Sequence, residues 1–409
     1  MWVICNRQRL IPTMKTKLIV IATLLLAINI LQAQKINAPK FGKGLFNLVG
    51  QDSTWSMQVG ARFQFDGTVL MQEGENPETN MLIRRARLKF DGFAVTPKLK
   101  YKIELGLSNR DMSGVSVFTG NTPRYILDAV IKYNFYQNFE LWVGQTKLPG
   151  NRERVISSGN MQQVDRSILN ARFNIDRDVG FQLRHHFTIS KNFVIKEVFA
   201  LSQGEGRNVV TGNLGGHQYT GRIELLPMGN FSSKGDYSGS DLKREQTPKL
   251  ALGVSYDHNN NAVRTRSNQG TYMETDTGFY ETNINTLFID AMFKYKGFSF
   301  MAEYADRNAK DPIAKNLDGT ETGDVVQIGT GLNLQSGYLF KNNWEVSGRY
   351  STVELDKNVT GTMPENQYTI GLSKFIVGHK LKVQTDISLI DIANLGDQVL
   401  YRLQFDIHF

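Results

Sequence analysis

From about residue 54 to its end the chain repeats one pattern: every second residue is apolar, and those between are polar, small or charged. A period of two is the period of a strand, so each such segment offers one face to an apolar medium and the other to water. The last segment is the clearest: Tyr401, Leu403, Phe405, Ile407 and Phe409 alternate with Arg402, Gln404, Asp406 and His408, and the chain stops on the aromatic. Early on, Trp55, Met57, Val59, Ala61, Phe63 and Phe65 oppose Gln58, Arg62 and Gln64, and Leu99, Tyr101, Ile103, Leu105 and Leu107 oppose Lys100, Lys102 and Glu104. Sixteen segments of this kind start near residues 54, 82, 98, 126, 138, 178, 193, 217, 249, 285, 297, 325, 342, 366, 379 and 398. Two are irregular. The segment from Phe193 reads in either register, and the one from Asn285 puts Phe288 and Met292 on its polar face.

The connections alternate in length. Short links lie at Val95 to Lys98, Phe135 to Asn138, Ser190 to Asn192, Lys296 to Gly297, Phe340 to Asn343 and Val377 to His379. Long polar segments cover 108–125, 147–177, 203–216, 258–284, 307–324 and 355–366. Short turns on one rim and long loops on the other predict an all-β fold, a transmembrane antiparallel β-barrel of about sixteen strands with periplasmic turns and extracellular loops. One link departs from the rule, since Pro227 to Pro248 is long and falls on the turn side. A helical membrane protein is excluded by a mean hydropathy of −0.31 and by the lack, after residue 33, of an apolar run of about 20 residues. A soluble all-β chain would have to expose these stripes or bury them between two sheets with managed edges. No uniform repeat points to a propeller or solenoid.

Residues 14–34 carry two lysines after Met14, an apolar stretch from Leu18 and Ala33 before Gln34, the layout of a secretory signal cleaved to leave Gln34 first. Residues 1–13 then read as an upstream start, 1–33 as removed, 34–53 as an N-terminal periplasmic segment and 54–409 as the barrel. Loss of Arg7, Arg9, Lys15 and Lys17 leaves 43 basic against 39 acidic residues, a mature charge of +4. The only cysteine, Cys5, goes with the leader, so neither disulfides nor thiolate metal sites hold the mature fold.

Several stretches, taken in order, resemble one family. They are Arg84-Arg85-Ala86-Arg87-Leu88-Lys89-Phe90-Asp91-Gly92-Phe93; Leu141-Trp142-Val143-Gly144-Gln145-Thr146-Lys147-Leu148-Pro149 with the Arg/Ser-rich stretch to Arg172; Asp178-Val179-Gly180-Phe181; Leu225-Leu226-Pro227-Met228-Gly229; and the terminal aromatic strand. The set is similar to the porin O/P family, the so-called phosphate-selective porins of Gram-negative outer membranes, with many members in the Bacteroidetes. The resemblance implies a sixteen-stranded, usually trimeric channel with an inward third loop, here residues 147–177, and an anion preference. It also implies a long link after Pro227 and assembly by the outer-membrane machinery through the terminal strand of Tyr401, Leu403, Phe405, Ile407 and Phe409.

The register that turns Leu82, Ala86, Leu88 and Phe90 outward sends Arg85, Arg87, Lys89 and Asp91 into the lumen, where Lys100, Lys102 and Arg62 join them. Loop three adds Lys147, Arg152, Arg154, Arg166, Arg172 and Arg177, among Glu153, Asp165, Asp176 and Asp178. Such a basic arc concentrates anions in a narrow pore, and guanidinium forks fit oxyanions two oxygens at a time. These twelve cations are the expected anion pathway, with phosphate or polyphosphate as candidate solutes. The opposing reading is that inward Lys132, Arg184, Arg222, Lys294, Arg349, Lys382 and Arg402 pair with inward Asp128, Glu140, Glu224, Asp257, Asp290, Glu303, Glu345, Asp386 and Asp406, leaving a general or carbohydrate-permeable channel. Aromatics near strand ends suit interfacial girdles, except Trp142, whose register points inward to brace loop three or stack a sugar.

No cofactor, metal or nucleic-acid site is expected; the partners are outer-membrane lipid and small solutes. An enzyme would need a nucleophile or activated water beside an oriented histidine, and none of His185, His186, His217, His258, His379 and His408 sits in such a setting; adjacent His185 and His186 must face opposite sides of one strand. A receptor or adhesin acting through its loops would look the same in sequence.

Overall fold

The computed structural model describes residues 39–112, 117–120, 123–190, 192–393 and 396–409, so the expected signal segment lies outside the described residues. Sixteen antiparallel strands close into one barrel: β1 Trp55–Gln72, β2 Glu78–Ala94, β3 Thr96–Gly106, β4 Ile126–Tyr136, β5 Phe139–Lys147, β6 Arg177–Ser190, β7 Phe193–Ser202, β8 Gln218–Leu226, β9 Lys249–Ala262, β10 Thr282–Tyr295, β11 Phe298–Ala309, β12 Gly329–Leu339, β13 Trp344–Leu355, β14 Glu365–Phe375, β15 Leu381–Ile392 and β16 Gly396–His408. Each expected segment has its strand. Closure is made by β16 on β1, with Phe405 opposite Phe65 and Tyr401 opposite Val69. The short stretch Phe46–Val49 pairs with Ser56–Val59, along the part of β1 that β16 does not reach. Phe409 donates its N–H to Ala61 and packs edge-on against Phe41, ring centroids 5.8 Å apart.

Alternation decides the faces. Phe65, Ile131, Phe181, Ile223, Tyr256 and Ile370 lie exposed on the outside, while Gln64, Asp66, Arg222, Asp257, Ser347 and Gln404 are buried toward the interior. On the turn rim the two-residue link Lys296–Gly297 has φ of 49° and 94°, the double positive φ that matches the twist of a tight hairpin. The first and last outer connections, 73–77 and 393–395, are short, and the long segments at 263–281 and 310–328 carry small hairpins of their own.

One register differs from expectation. Gln64 pairs with Arg85 but Phe65 pairs with Ile83, so Arg84 is the extra residue of a β-bulge. Beyond it the faces swap: Met81 and Ile83 are the exposed side chains, and Leu82, opposite buried Asp66, turns inward rather than outward. The bulge also frees Arg84 to reach loop three, where its Nη2 donates to Asp165 at 2.7 Å.

The irregular apolar positions mark seats for chain folded into the lumen. Loop three, between Lys147 and Arg177, carries short helices at Arg152–Val155 and Ile168–Phe173. Its Leu148, Leu169, Phe173 and Ile175 pack on Ala200, Phe288, Ala305, Val353 and Leu355 of the wall. Gly331 on β12 has no side chain there, and a Cβ would lie 2.9 Å from the Phe173 ring. Ile156 and Met161 share a second cluster with Val194, Leu226, Ala251, Met292 and Met301, and with Phe231 from the long turn-side link. Inward Val194 and Ala200 are what made the Phe193 segment ambiguous. That link, Pro227 to Pro248, itself enters the barrel: Lys294 Nζ donates to the carbonyls of Ser238, Gly239 and Ser240 at 2.8–2.9 Å, and Gly239 N–H donates to Asn160 of loop three at 2.6 Å.

Candidate solute passage

Loop three and the turn-side link are anchored to the wall from β8 round to β15. Arg152 Nε donates to Asp290 at 2.6 Å, Gln162 donates to Ser299 and Glu345 at 2.9 and 2.8 Å, Arg349 donates to the Asp165 carbonyl at 2.8 Å, and Lys382 to that of Met161 at 3.0 Å. Open space remains on the side of β2 to β8, a chamber of about 720 Å³ bordered by Arg87, Lys102, Asp128, Trp142, Lys196 and Tyr237 among others.

Of the expected anion pathway, Arg87, Lys102, Lys147 and Arg177 border this space, but most of its cations are not free. Arg87 pairs with Asp111 at 2.6 Å and Glu104 at 3.0 Å; Lys102 with Glu104 at 2.7 Å and Asp128 at 2.5 Å; Arg177 with Asp128 at 3.1 Å and Asp176 at 3.5 Å; and Asp176 with Arg154. The result is one continuous chain of four cations and four carboxylates with no net charge. Asp111 arrives on a helical turn, Asn109–Met112, of the second long loop. Arg62 is bidentate to Asp406 at 2.9 and 3.0 Å and also donates to Ser158; Arg85 is buried against Gln64, with Asp165 at 3.6 Å; Lys89 holds Asp91 at 2.7 Å. Lys100 is exposed, opposite Lys132. Among the loop cations, Arg166 is spent on the carbonyls of Glu153 and Ile156, and Arg172 lies 3.5 Å from Glu365. Arg152 is a correction: at 0% exposure it is closed to solute, and its contacts with Asp290, Glu224 and the Asp236 carbonyl make it an anchor of loop three.

Four chamber cations, Lys132, Lys147, Arg184 and exposed Lys234, have, among the described residues, no carboxylate within 4 Å. Lys147 donates to the carbonyls of Arg154 and Ile156 at 2.6 and 3.1 Å, Arg184 donates to Gln182 at 2.7 Å, and Lys132 lies with its Nζ 3.7 Å from the Trp142 ring centroid. Arg184 approaches the same ring at 3.9 Å. Trp142 does point inward, but its ring receives cations from the strands on either side rather than loop three. His186 and His185 face opposite ways, the latter opposite Glu197 at 3.1 Å and stacked on Phe139.

A family model, phosphate-selective porin O and P, matches residues 57–390. No curated protein matches the sequence. Among solved structures, the outer membrane channel DcaP of Acinetobacter baumannii is 12% identical at a TM-score of 0.54, covering 88% of this chain and 99% of its own. An anion-selective porin from Comamonas acidovorans is 11% identical at 0.53, covering 87% and 100%, and a loop-deleted OmpT of Vibrio cholerae is 9% identical at 0.53 over the same shares. At these identities the likeness is one of fold. With the family match across most of the barrel, it makes this chain a member of the phosphate-selective porin O and P family, a channel of the Gram-negative outer membrane and not an enzyme.

Proposed function

We propose that the channel passes small anionic solutes by passive diffusion and prefers them to cations of the same size. The observation that carries this is the set Lys132, Lys147, Arg184 and Lys234, basic groups facing the chamber without carboxylate partners among the described residues. In a narrow space walled by protein, uncompensated charge raises the local concentration of counter-ions. The expected arc on β1 to β3 contributes less than its charge count, because Arg62, Arg87, Lys89 and Lys102 share their fields with neighbouring acids. Phosphate is the solute that the family description favours, and the same reading takes the assembly as a homotrimer in outer-membrane lipid. The neutral charge chain favours the second reading, a general diffusion channel with weak ion preference.

The zero-current potential of the mature protein in a planar bilayer across a potassium chloride gradient separates the two. A chloride-selective potential that moves toward zero in Lys132→Gln/Arg184→Gln supports the proposal. A potential near zero in the wild type leaves a general porin.

A further inference from the structure

The turn-side link carries no strand between Leu226 and Lys249, so the groups that grip it decide whether it stays in the barrel. One of them is a histidine. His379 stands in the turn between β14 and β15, only 8% exposed, with its Nε2 3.0 Å from the Ser238 hydroxyl and its ring edge-on to Phe375, centroids 5.3 Å apart. A Cβ on neighbouring Gly378 would lie 3.6 Å from Leu242, so the link runs directly over this turn. Nδ1 is buried and, among the described residues, has no hydrogen-bond partner. A neutral ring with its proton on Nε2 is satisfied by Ser238 alone; a protonated ring carries a second N–H with nowhere to donate.

The charges around the imidazole add to that cost. Lys294 on β10 and Lys382 on β15 both face it, the first bonded to the Ser238 carbonyl and the second to that of Met161, while adjacent Lys380 is exposed. On β16 His408 and Asp406 also face it, but Asp406 is already held by Arg62 and by His408, each at 2.9 Å. Glu345 on β13 receives Ser240 and Gln162; on the link itself Asp236 holds Lys196, and Asp241 accepts the N–H groups of Glu245 and Gly297. No carboxylate among the described residues bonds the ring. Burial, with Lys382 and Lys294 beside it, holds the imidazole well below its usual range, so it is neutral at neutral pH.

We propose that His379 is an acid-sensitive latch on the turn-side link: the neutral imidazole keeps Ser238 to Ser240 folded into the barrel, and its protonation releases them and widens the turn-side exit of the lumen. A protonated ring regains water only by leaving its seat, and the neighbour free to move aside is the link, because β14 and β15 are fixed by their ladders. The sign follows from proton counting. The latched form binds a proton less readily than the released one, so the contribution of His379 is complete above the ordinary histidine value of about 6.5 and falls tenfold in the latch equilibrium per pH unit below it, until the lower value of the buried ring is reached. The latch stands whether or not the channel prefers anions.

Single-channel conductance of the purified, folded mature protein in a planar bilayer, recorded from about pH 7.5 down to about pH 4.5 in potassium chloride, tests it. The expected result is a conductance that rises at least about 1.5-fold in the wild type as the pH falls, and a rise that is lost in His379→Gln, whose amide can still bond Ser238 but cannot take a charge. Lumenal acids titrate in both proteins, so the difference between the two profiles belongs to the histidine. Ser238→Ala removes the one partner of the neutral ring and shifts the midpoint of the rise to higher pH; it supplies the comparison if His379→Gln does not assemble, as judged by heat-modifiable gel migration. Hydrogen exchange across residues 230–246, corrected for the intrinsic rate, is expected to quicken over the same pH range in the wild type and not in His379→Gln. A wild-type conductance that does not rise in acid, an equal rise in His379→Gln, or an unmoved midpoint in Ser238→Ala overturns the proposal.

Discussion

Asp128 shows how much a single side chain controls. Its carboxylate receives Lys102, Arg177 and the Thr146 hydroxyl, so one acid offsets two of the cations nearest the chamber. Asp128→Asn is expected to leave one uncompensated positive charge there and to raise the chloride-to-potassium permeability ratio by about twofold, a modest effect because lumenal water and salt screen it. The zero-current potential measures it, and no change would place Asp128 outside the field of the passage. Arg152 is the contrasting case. Replacing it by Met leaves Asp290 and Glu224 with Arg222 as their remaining guanidinium partner, in an interior where removing one member of a buried pair costs about 3 kcal/mol or more. The expected outcome is a lower unfolding midpoint in urea with little change of ion preference.

At the level of elements, the two inward segments decide where the lumen is open. Phe288 and Met292 break the alternation of β10 because they face loop three and Phe231 instead of water. Phe288→Ala removes the floor under Leu169 and Phe173 and is expected to cost about 3–4 kcal/mol locally. Gly331→Val works from the opposite direction, forcing a side chain into the Phe173 ring. Both variants are expected to show larger and noisier single-channel currents as loop three loosens; quiet wild-type currents in both would remove it as the constriction. The turn-side link is the second lever. Shortening residues 230–246 to a tight turn takes away Phe231, Tyr237 and Ser240, with their contacts to Met292, Glu224 and Glu345, and is expected to raise conductance.

For the whole molecule, closure is the step that everything else depends on. β16 pairs along β15 on one edge and β1 on the other, and the final residue is tied to Ala61 and Phe41. A barrel with a free edge in lipid leaves a row of unsatisfied backbone groups, each costly where no water can reach. Deleting Phe409 is expected to lower the yield of heat-modifiable, membrane-inserted barrel in cells by well over half while leaving synthesis intact. Full assembly of the truncated chain would remove the terminal aromatic from that role.

Strand number, the rim on which each connection lies and the face on which Arg62, Arg87, Lys102 or Trp142 stands were legible from the amino-acid order, because a two-residue period and turn chemistry are local properties. Even the misfits at Phe288 and Met292 were visible as misfits. Local pattern could not supply partners. Parity counting failed at Arg84, where a bulge adds one residue to β2, and it could place Lys102 and Arg87 inward but not Lys102 beside Asp128 or Arg87 beside Asp111. Which cations stay free follows from strand stagger and from where three long segments fold back, and the energy of those placements is spread over contacts between residues more than 100 positions apart, as between Arg152 and Asp290. The sequence alone therefore determined a closed barrel with an aqueous, charged interior, since alternation at fixed period needs no knowledge of distant residues. The tertiary structure decided where that interior is open and which of its charges a solute meets, since pairing cancels charge only between groups that the fold brings within a few ångströms.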